Sequence, residues 1–154
     1  MPPSAGNNEI SAIVSDFAQT PGHLIRRAYQ AHNQLWAEFV PVDITGSQYV
    51  ILCALAVHGD LDQASVGRLT SLDRSSVAEL AGRMARRGLI QRGRDERDGR
   101  KRVLRITARG TVAVAEAAPH VRRLGQRLLA QLDEPEREQF LGYLSRVGDQ
   151  AGRA

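Results

Sequence analysis

The sequence predicts a mainly α fold with a small β wing, a winged helix-turn-helix carried between longer helices. Three observations point to it. Apolar residues recur at spacings of three and four over most of the chain. Two short helical segments, each opened by an aspartate (Asp62 and Asp73), follow one another with little between them. Directly after them, two short alternating stretches flank the charged tip RDERDGRKR.

Taken in order, residues 1–8 read as disordered, and residues 10–40 as helix with a break near Pro21 and Gly22. Leu24, Ile25, Ala28, Tyr29, His32, Leu35, Trp36 and Phe39 fall on one stripe of that helix. Thr45 opens the next, with Gln48 in the capping-box position, and Gly59 ends it. This segment, SQYVILCALAVHG, is apolar on almost every side and is expected at the centre. Asp62 caps a helix ending near Thr70. Asp73 caps one from Ser75 to Arg87, in which Val77, Leu80, Ala81 and Met84 share a face. Strands follow at 89–94 and 102–107, with Asp98-Gly99 as the turn, because glycine accepts positive φ. Thr107 opens a helix over 108–132 that Pro119 is expected to kink or break. Asp133, Pro135 and Glu136 open the last one, with Phe140, Leu141, Leu144 and Val147 on one face.

Composition narrows the function. The 154 residues suit one domain with helical extensions. The longest apolar run, YVILCALAV, falls short of the roughly 20 residues a membrane span needs. MPPSAGNNEIS has no basic region followed by an apolar stretch, so a secretory leader is not expected. A lone cysteine, Cys53, forms no internal disulfide and reads as inert core, and a cytoplasmic location is expected. Catalysis finds no support: Ser75-Ser76 lacks the glycines of a nucleophile elbow, and no phosphate loop is present. No metal or cofactor is expected, since His23 and His32 fall on opposite helix faces and no cysteine–histidine cluster exists.

Charge is more informative. The net charge is +4, and every basic residue but Lys101 is arginine. Between Arg83 and Arg109 stand eleven basic residues against three acidic ones, a footprint for a polyanion. A hairpin after a helix-turn-helix is a wing, and its charge is explained if it lies on duplex DNA while the second helix enters the major groove. A merely solvated hairpin leaves the basic helix before it unexplained. At the start of that helix Arg74, Ser75 and Ser76 suit phosphates. Ala78 and Glu79 suit a thymine methyl or a cytosine amine. Arg83 and Arg86 suit phosphate clamps, although Arg86 and Arg87 are also favourable charges at a helix C-terminus. On the wing, Asp98 is expected to hold Arg100 or a nearby arginine in one rotamer.

ITGSQYVILCAL, VGRLTSLDRSSVAELAGRMARRGLIQR and DERDGRKRVLRIT together resemble the multiple antibiotic resistance regulator (MarR) family of winged-helix repressors, over residues 20–150. One departure is Gly99, where many members carry another arginine. That leaves Arg97, Arg100 and Arg102 as minor-groove residues, with Arg100 the best match. The resemblance implies a winged helix-turn-helix plus a helical dimerisation region: an arm and dimerisation helix at 1–44, the DNA-binding domain at 45–107, and dimerisation helices at 108–154. The apolar stripes of the terminal helices, too wide for one small domain to cover, agree with a homodimer. Two-fold symmetry then implies a palindromic operator with half-sites about 10–10.5 base pairs apart.

The stretch PGHLIRRAYQAHNQLW raises an effector site. A histidine in an apolar stripe is commonly a satisfied core residue. Here, however, Arg26, Tyr29, His32 and Trp36 together suit an aromatic acid: a fork for the carboxylate, polar groups for ring hydroxyls and an apolar wall. The stretch resembles a MarR subgroup responsive to aromatic carboxylates such as protocatechuate and hydroxybenzoates. That resemblance makes Arg26 the carboxylate-binding arginine and His23 and His32 ring contacts. A redox- or drug-responsive regulator, or a winged-helix module that docks proteins, are the alternatives.

Overall fold

The computed structural model describes Ile10, residues 17–96 and residues 98–149. The disorder expected of residues 1–8, and the wing residue Arg97, lie outside the described residues. A short 3-10 turn, Phe17–Gln19, leads into α1 (Pro21–Phe39). Then come α2 (Gly46–His58), α3 (Gln63–Thr70), α4 (Arg74–Arg86), β1 (Ile90–Arg94), β2 (Arg102–Ile106), α5 (Ala108–Leu128) and α6 (Glu134–Gly148). α1 begins at Pro21, at the expected break, as suits a residue that lacks the N–H a first turn leaves unpaired.

Helix starts are set locally. The Thr45 hydroxyl accepts the Gln48 N–H at 3.2 Å while the Gln48 side chain accepts the Thr45 N–H at 3.1 Å. Asp62 and Asp73 cap α3 and α4 through the N–H groups of Ser65 (2.7 Å) and Ser76 (2.9 Å). Thr107 caps α5, and its hydroxyl also donates to the Gly88 carbonyl at 2.6 Å, so the helix start is tied to the entrance of the wing. Asp133 and Glu136 form the reciprocal box at α6. Gly88, just past α4, sits at φ 69°, where a side chain would strain.

The core is built on α2. Ile51, Leu52 and Leu55 are fully buried and meet Val66 of α3, Val77, Ala81 and Met84 of α4, Ile90 and Leu104 of the strands, and Ala117 and Leu124 of α5. The helix is not covered all round, however: Val50 and Val57 are exposed and Cys53 is half-buried, because none of the described residues packs over that side. Cys53 is therefore not the sealed core residue expected. It lies beside Tyr49, whose phenol is pushed up first by burial and then by its bond to Cys53. Helix α5 runs unbroken through Pro119. Ala115 and Pro119 are both exposed, so the carbonyl left without its helical donor is open to water. The helix stops at Leu128, short of the expected 132, and Arg137 of α6 donates to the carbonyls of Leu129 (3.1 Å) and Leu132 (2.8 Å) at the corner. No residue of α1 or α6 is buried, and Ile25, Leu141 and Val147 lie open.

β1 and β2 pair antiparallel, from Ile90 opposite Ile106 to Arg94 opposite Arg102. Leu61, between α2 and α3, adds a bridge to Leu104 on the far edge of β2. The hairpin tip is a longer loop than the Asp98-Gly99 dipeptide suggests, and Gly99 is not at positive φ. Two aspartates shape it instead: Asp95 accepts the Asp98 N–H at 2.9 Å, and Asp98 accepts the Arg100 N–H at 3.1 Å. Among the described residues no helix is long and apolar enough to cross a membrane.

A Cβ placed on Gly110 would lie 2.2 Å from the Leu89 carbonyl oxygen and 2.9 Å from Ile106. Gly110→Ala should therefore cost about 1–3 kcal/mol or more, read as a lowered denaturant midpoint, because backbone cannot yield as a side-chain tip can. The capping carboxylates predict an acid limb. Hydrogen bonds from Ser75 and then Ser76 hold the Asp73 carboxyl far below the usual carboxylate range, and the Ser65 N–H holds Asp62 down. Their folded pKa values lie below the unfolded one, so their stabilisation is complete above about pH 4 and lost as pH falls further. An Asp62→Asn, Asp73→Asn double variant should lose less Tm between pH 5 and pH 2 than the parent chain.

Candidate nucleic-acid interface and adjoining cavity

Helix α4 buries Val77, Leu80, Ala81 and Met84, which turns Arg74, Ser75, Ala78, Glu79, Arg83 and Arg86 outward, while Ser76 is half-buried. The turn before it is tight: Ser71 takes a left-handed conformation (φ 56°), and Leu72 donates back to the Gly67 carbonyl. The two serine hydroxyls do not point free donors outward. Both donate to Asp73, at 2.5 Å from Ser75 and 2.6 Å from Ser76. An anion at this helix end would meet Arg74 and backbone rather than those protons. Glu79 pairs with Arg83 at 3.3 Å across one exposed turn. The guanidinium groups of Arg86 and Arg92 both lie over Gly82, which joins the end of α4 to the base of the wing in one basic surface.

On the wing, Arg100 and Arg102 are exposed, and Asp98 braces the backbone of Arg100 rather than its guanidinium. Arg94 stands directly opposite Arg102 in the sheet, and Arg92, Arg94 and Arg102 border a shallow recess of about 510 Å³. Like charges placed opposite one another in a sheet repel, so this face gains from a counter-anion. Arg105, counted in the sequence with the polyanion footprint, does other work. It grips Asp60 with two parallel hydrogen bonds, its Nε 2.8 Å from Oδ1, and also lies 3.6 Å from Glu96. Sequence reasoning missed this pair, since alternation along β2 turns Arg105 to one face but names no partner.

Beside this surface is a cavity of about 990 Å³ between α1, the start of α2 and the flank of α4 that carries Ser76, Glu79, Leu80 and Arg83. Of the expected effector residues, Tyr29 and His32 line it, with ring centroids 6.2 Å apart and nearly parallel. Nδ1 of His32 is buried with no hydrogen-bond partner. Trp36 stands behind His32, its centroid 6.0 Å away and its Nε1 committed to the Ile44 carbonyl at 2.9 Å, and does not itself line the cavity. His23 lies elsewhere, against Phe17 at 4.4 Å. Arg26 is exposed and is not among the lining residues. The far wall is α4 itself, through Ser76, Glu79, Leu80 and Arg83. Arg87, Asp43 and Gln48 close the end of the cavity. Arg87 is the residue that sequence reasoning left as a simple helix-end charge. Its Nη2 lies 2.8 Å from the Asp43 carboxylate and also reaches the Asp43 carbonyl, while Nη1 lies 3.4 Å from Gln48.

Comparison with known proteins agrees with this architecture. The pattern of the MarR family matches residues 42–101. The transcriptional repressor NicR of Pseudomonas putida is 30% identical over 135 residues, which are 87% of this chain and 85% of that protein. The PcaV transcriptional regulator of Streptomyces coelicolor, solved in complex with its natural ligand, superposes with a TM-score of 0.82 at 41% identity, over 88% of this chain and 96% of that one. BpsR of Bordetella bronchiseptica, solved in a study of how 6-hydroxynicotinic acid regulates its DNA binding, gives 0.82 at 30% identity, over 86% and 96%. Sharing with them its winged helix-turn-helix and its flanking helices over most of its length, the chain belongs to the MarR family of transcription regulators.

Proposed function

We propose that the protein represses transcription as a homodimer on a palindromic operator and is released by a small aromatic carboxylate. The observation that carries this reading is the shared wall: the cavity holding Tyr29 and His32 is closed on its other side by α4, the helix that turns its basic face outward. A ligand seated there presses on the helix that would read DNA. His32 and Tyr29 supply stacked rings on the cavity wall, with Trp36 packed behind His32. Arg26, one turn before Tyr29, acts in this reading as the outer cation that captures the acid, with His23 on the approach. The regulation of BpsR by 6-hydroxynicotinic acid supports an effector of this class.

In this reading residues 45–107 form the DNA-binding unit, and residues 1–44 and 108–154 supply dimerisation. The open apolar faces of α1 and α6 support that division. Arg74 and the α4 backbone hold phosphate, Ala78 and Glu79 face base edges, and Arg83 and Arg86 clamp the backbone. Glu79 must leave Arg83 to meet a base. On the wing, Arg97, Arg100 and Arg102 follow the minor groove beside the bracing Asp98. For 100-fold release the effector must favour the released state by about 2.7 kcal/mol.

Operator affinity should fall with salt at about 0.9 log units per log salt for each phosphate neutralised. Arg100→Ala should weaken it roughly ten-fold with the dimer mass unchanged in light scattering; unaltered affinity would remove Arg100 from the contact. His32→Ala and Arg26→Ala should each bind operator normally in fluorescence anisotropy, yet need at least roughly ten-fold more hydroxybenzoate for release. Release at the parent concentration would exclude that residue from the effector site.

A further inference from the structure

Resting on the reading that this cavity takes an aromatic acid, we infer that Arg87 is its inner carboxylate anchor, and that the acid binds by displacing the Asp43 carboxylate from Arg87. Four observations converge on it. Arg87 lines the cavity that holds Tyr29 and His32. Its side chain is only 33% exposed, whereas that of its charged partner Asp43 is 99% exposed. The guanidinium is therefore held and partly shielded, while the carboxylate it holds stands in water. An ion pair with one member in water is worth little, about 0–1 kcal/mol, so a carboxylate carried in on an aromatic ring replaces it at small cost. The bond to Gln48, at 3.4 Å, is long, which leaves Nη1 able to complete a two-pronged grip on an incoming acid. His32, stacked on Tyr29, lines the same space and offers a flat surface to the aromatic ring.

The exchange has a consequence for regulation. Arg87 is the cap residue at the C-terminal end of α4, one residue before Gly88 and the wing. Asp43 belongs to the loop between α1 and α2, and Gln48 to the capping box of α2. The Arg87–Asp43 pair thus ties that loop to the end of the α4 helix. An acid that displaces the Asp43 carboxylate leaves only the Asp43 carbonyl in the tie while filling the cavity, so binding and loosening are one event.

The test is calorimetric titration of the full-length protein with 4-hydroxybenzoate and, as the uncharged control, 4-hydroxybenzamide. Asp43→Asn removes the competitor and should tighten 4-hydroxybenzoate by about two- to five-fold, the fold-change matching an exposed ion pair, with 4-hydroxybenzamide unmoved. Arg87→Gln should weaken 4-hydroxybenzoate at least roughly ten-fold and spare the benzamide. Asp43 is exposed, so the first variant remains informative even if the second unfolds. If the parent protein binds 4-hydroxybenzoate but neither variant changes its affinity, or both ligands shift equally, the Arg87 assignment is wrong while the aromatic-acid reading stands. If the parent protein binds no hydroxybenzoate at all, both fall together.

Discussion

The whole molecule depends on the burial of α2. Helices as short as α3 and α4, with 8 and 13 residues, are marginal on their own, and a two-stranded hairpin is no better. Each acquires its position by packing a few residues against Ile51, Leu52 and Leu55. Because α4, the wing and α5 all rest on the same three side chains, a shift of α2 is felt by every surface that faces outward. The capping residues decide where the helices begin, and α2 decides where they lie.

The arginines divide into two populations that composition cannot separate. Arg87, Arg105 and Arg137 act inside the fold: they hold Asp43, Asp60 and the carbonyls at the α5–α6 corner. Arg100 and Arg102 stay open at the wing, with Arg86 and Arg92 at its base over Gly82. The internal group holds the surfaces that the external group presents. Arg105 is the clearest case, because its fork on Asp60 pins β2 to the loop before α3 next to the Leu61–Leu104 bridge. The wing is thereby held at its base, while its tip is shaped by aspartate–backbone bonds, a backbone turn from Asp98 to Lys101 and the bond from Arg94 to the Gly99 carbonyl.

The cavity gains its meaning from what its walls also do. α1 contributes aromatic rings, α4 contributes a flank that includes the outward-facing Glu79 and Arg83, and Arg87 joins them at one end. Packed interiors respond to an inserted group by moving whole elements rather than by yielding smoothly. In the proposed reading, a molecule wedged between α1 and α4 would change how α4 is presented to a duplex.

What the sequence determined by itself was local. The capping pairs Thr45–Gln48, Asp62–Ser65 and Asp133–Glu136 are three residues apart, so the chain announces each helix start without any knowledge of the fold. The apolar spacing of α4 likewise foretold which of its faces would be buried. Locality also misled: Pro119 did not break its helix, Gly99 made its turn without the positive φ expected of it, and the apolarity of α2 did not seal Cys53. Only the tertiary structure decided which charges meet. Arg87 and Asp43 are 44 residues apart, and Arg105 and Asp60 are 45. It also separated Tyr29 and His32, which share the cavity, from His23, which does not. Periodicity tells which side of a helix faces inward, but a pairing across the fold exists only once packing has brought two distant segments within a hydrogen bond's reach.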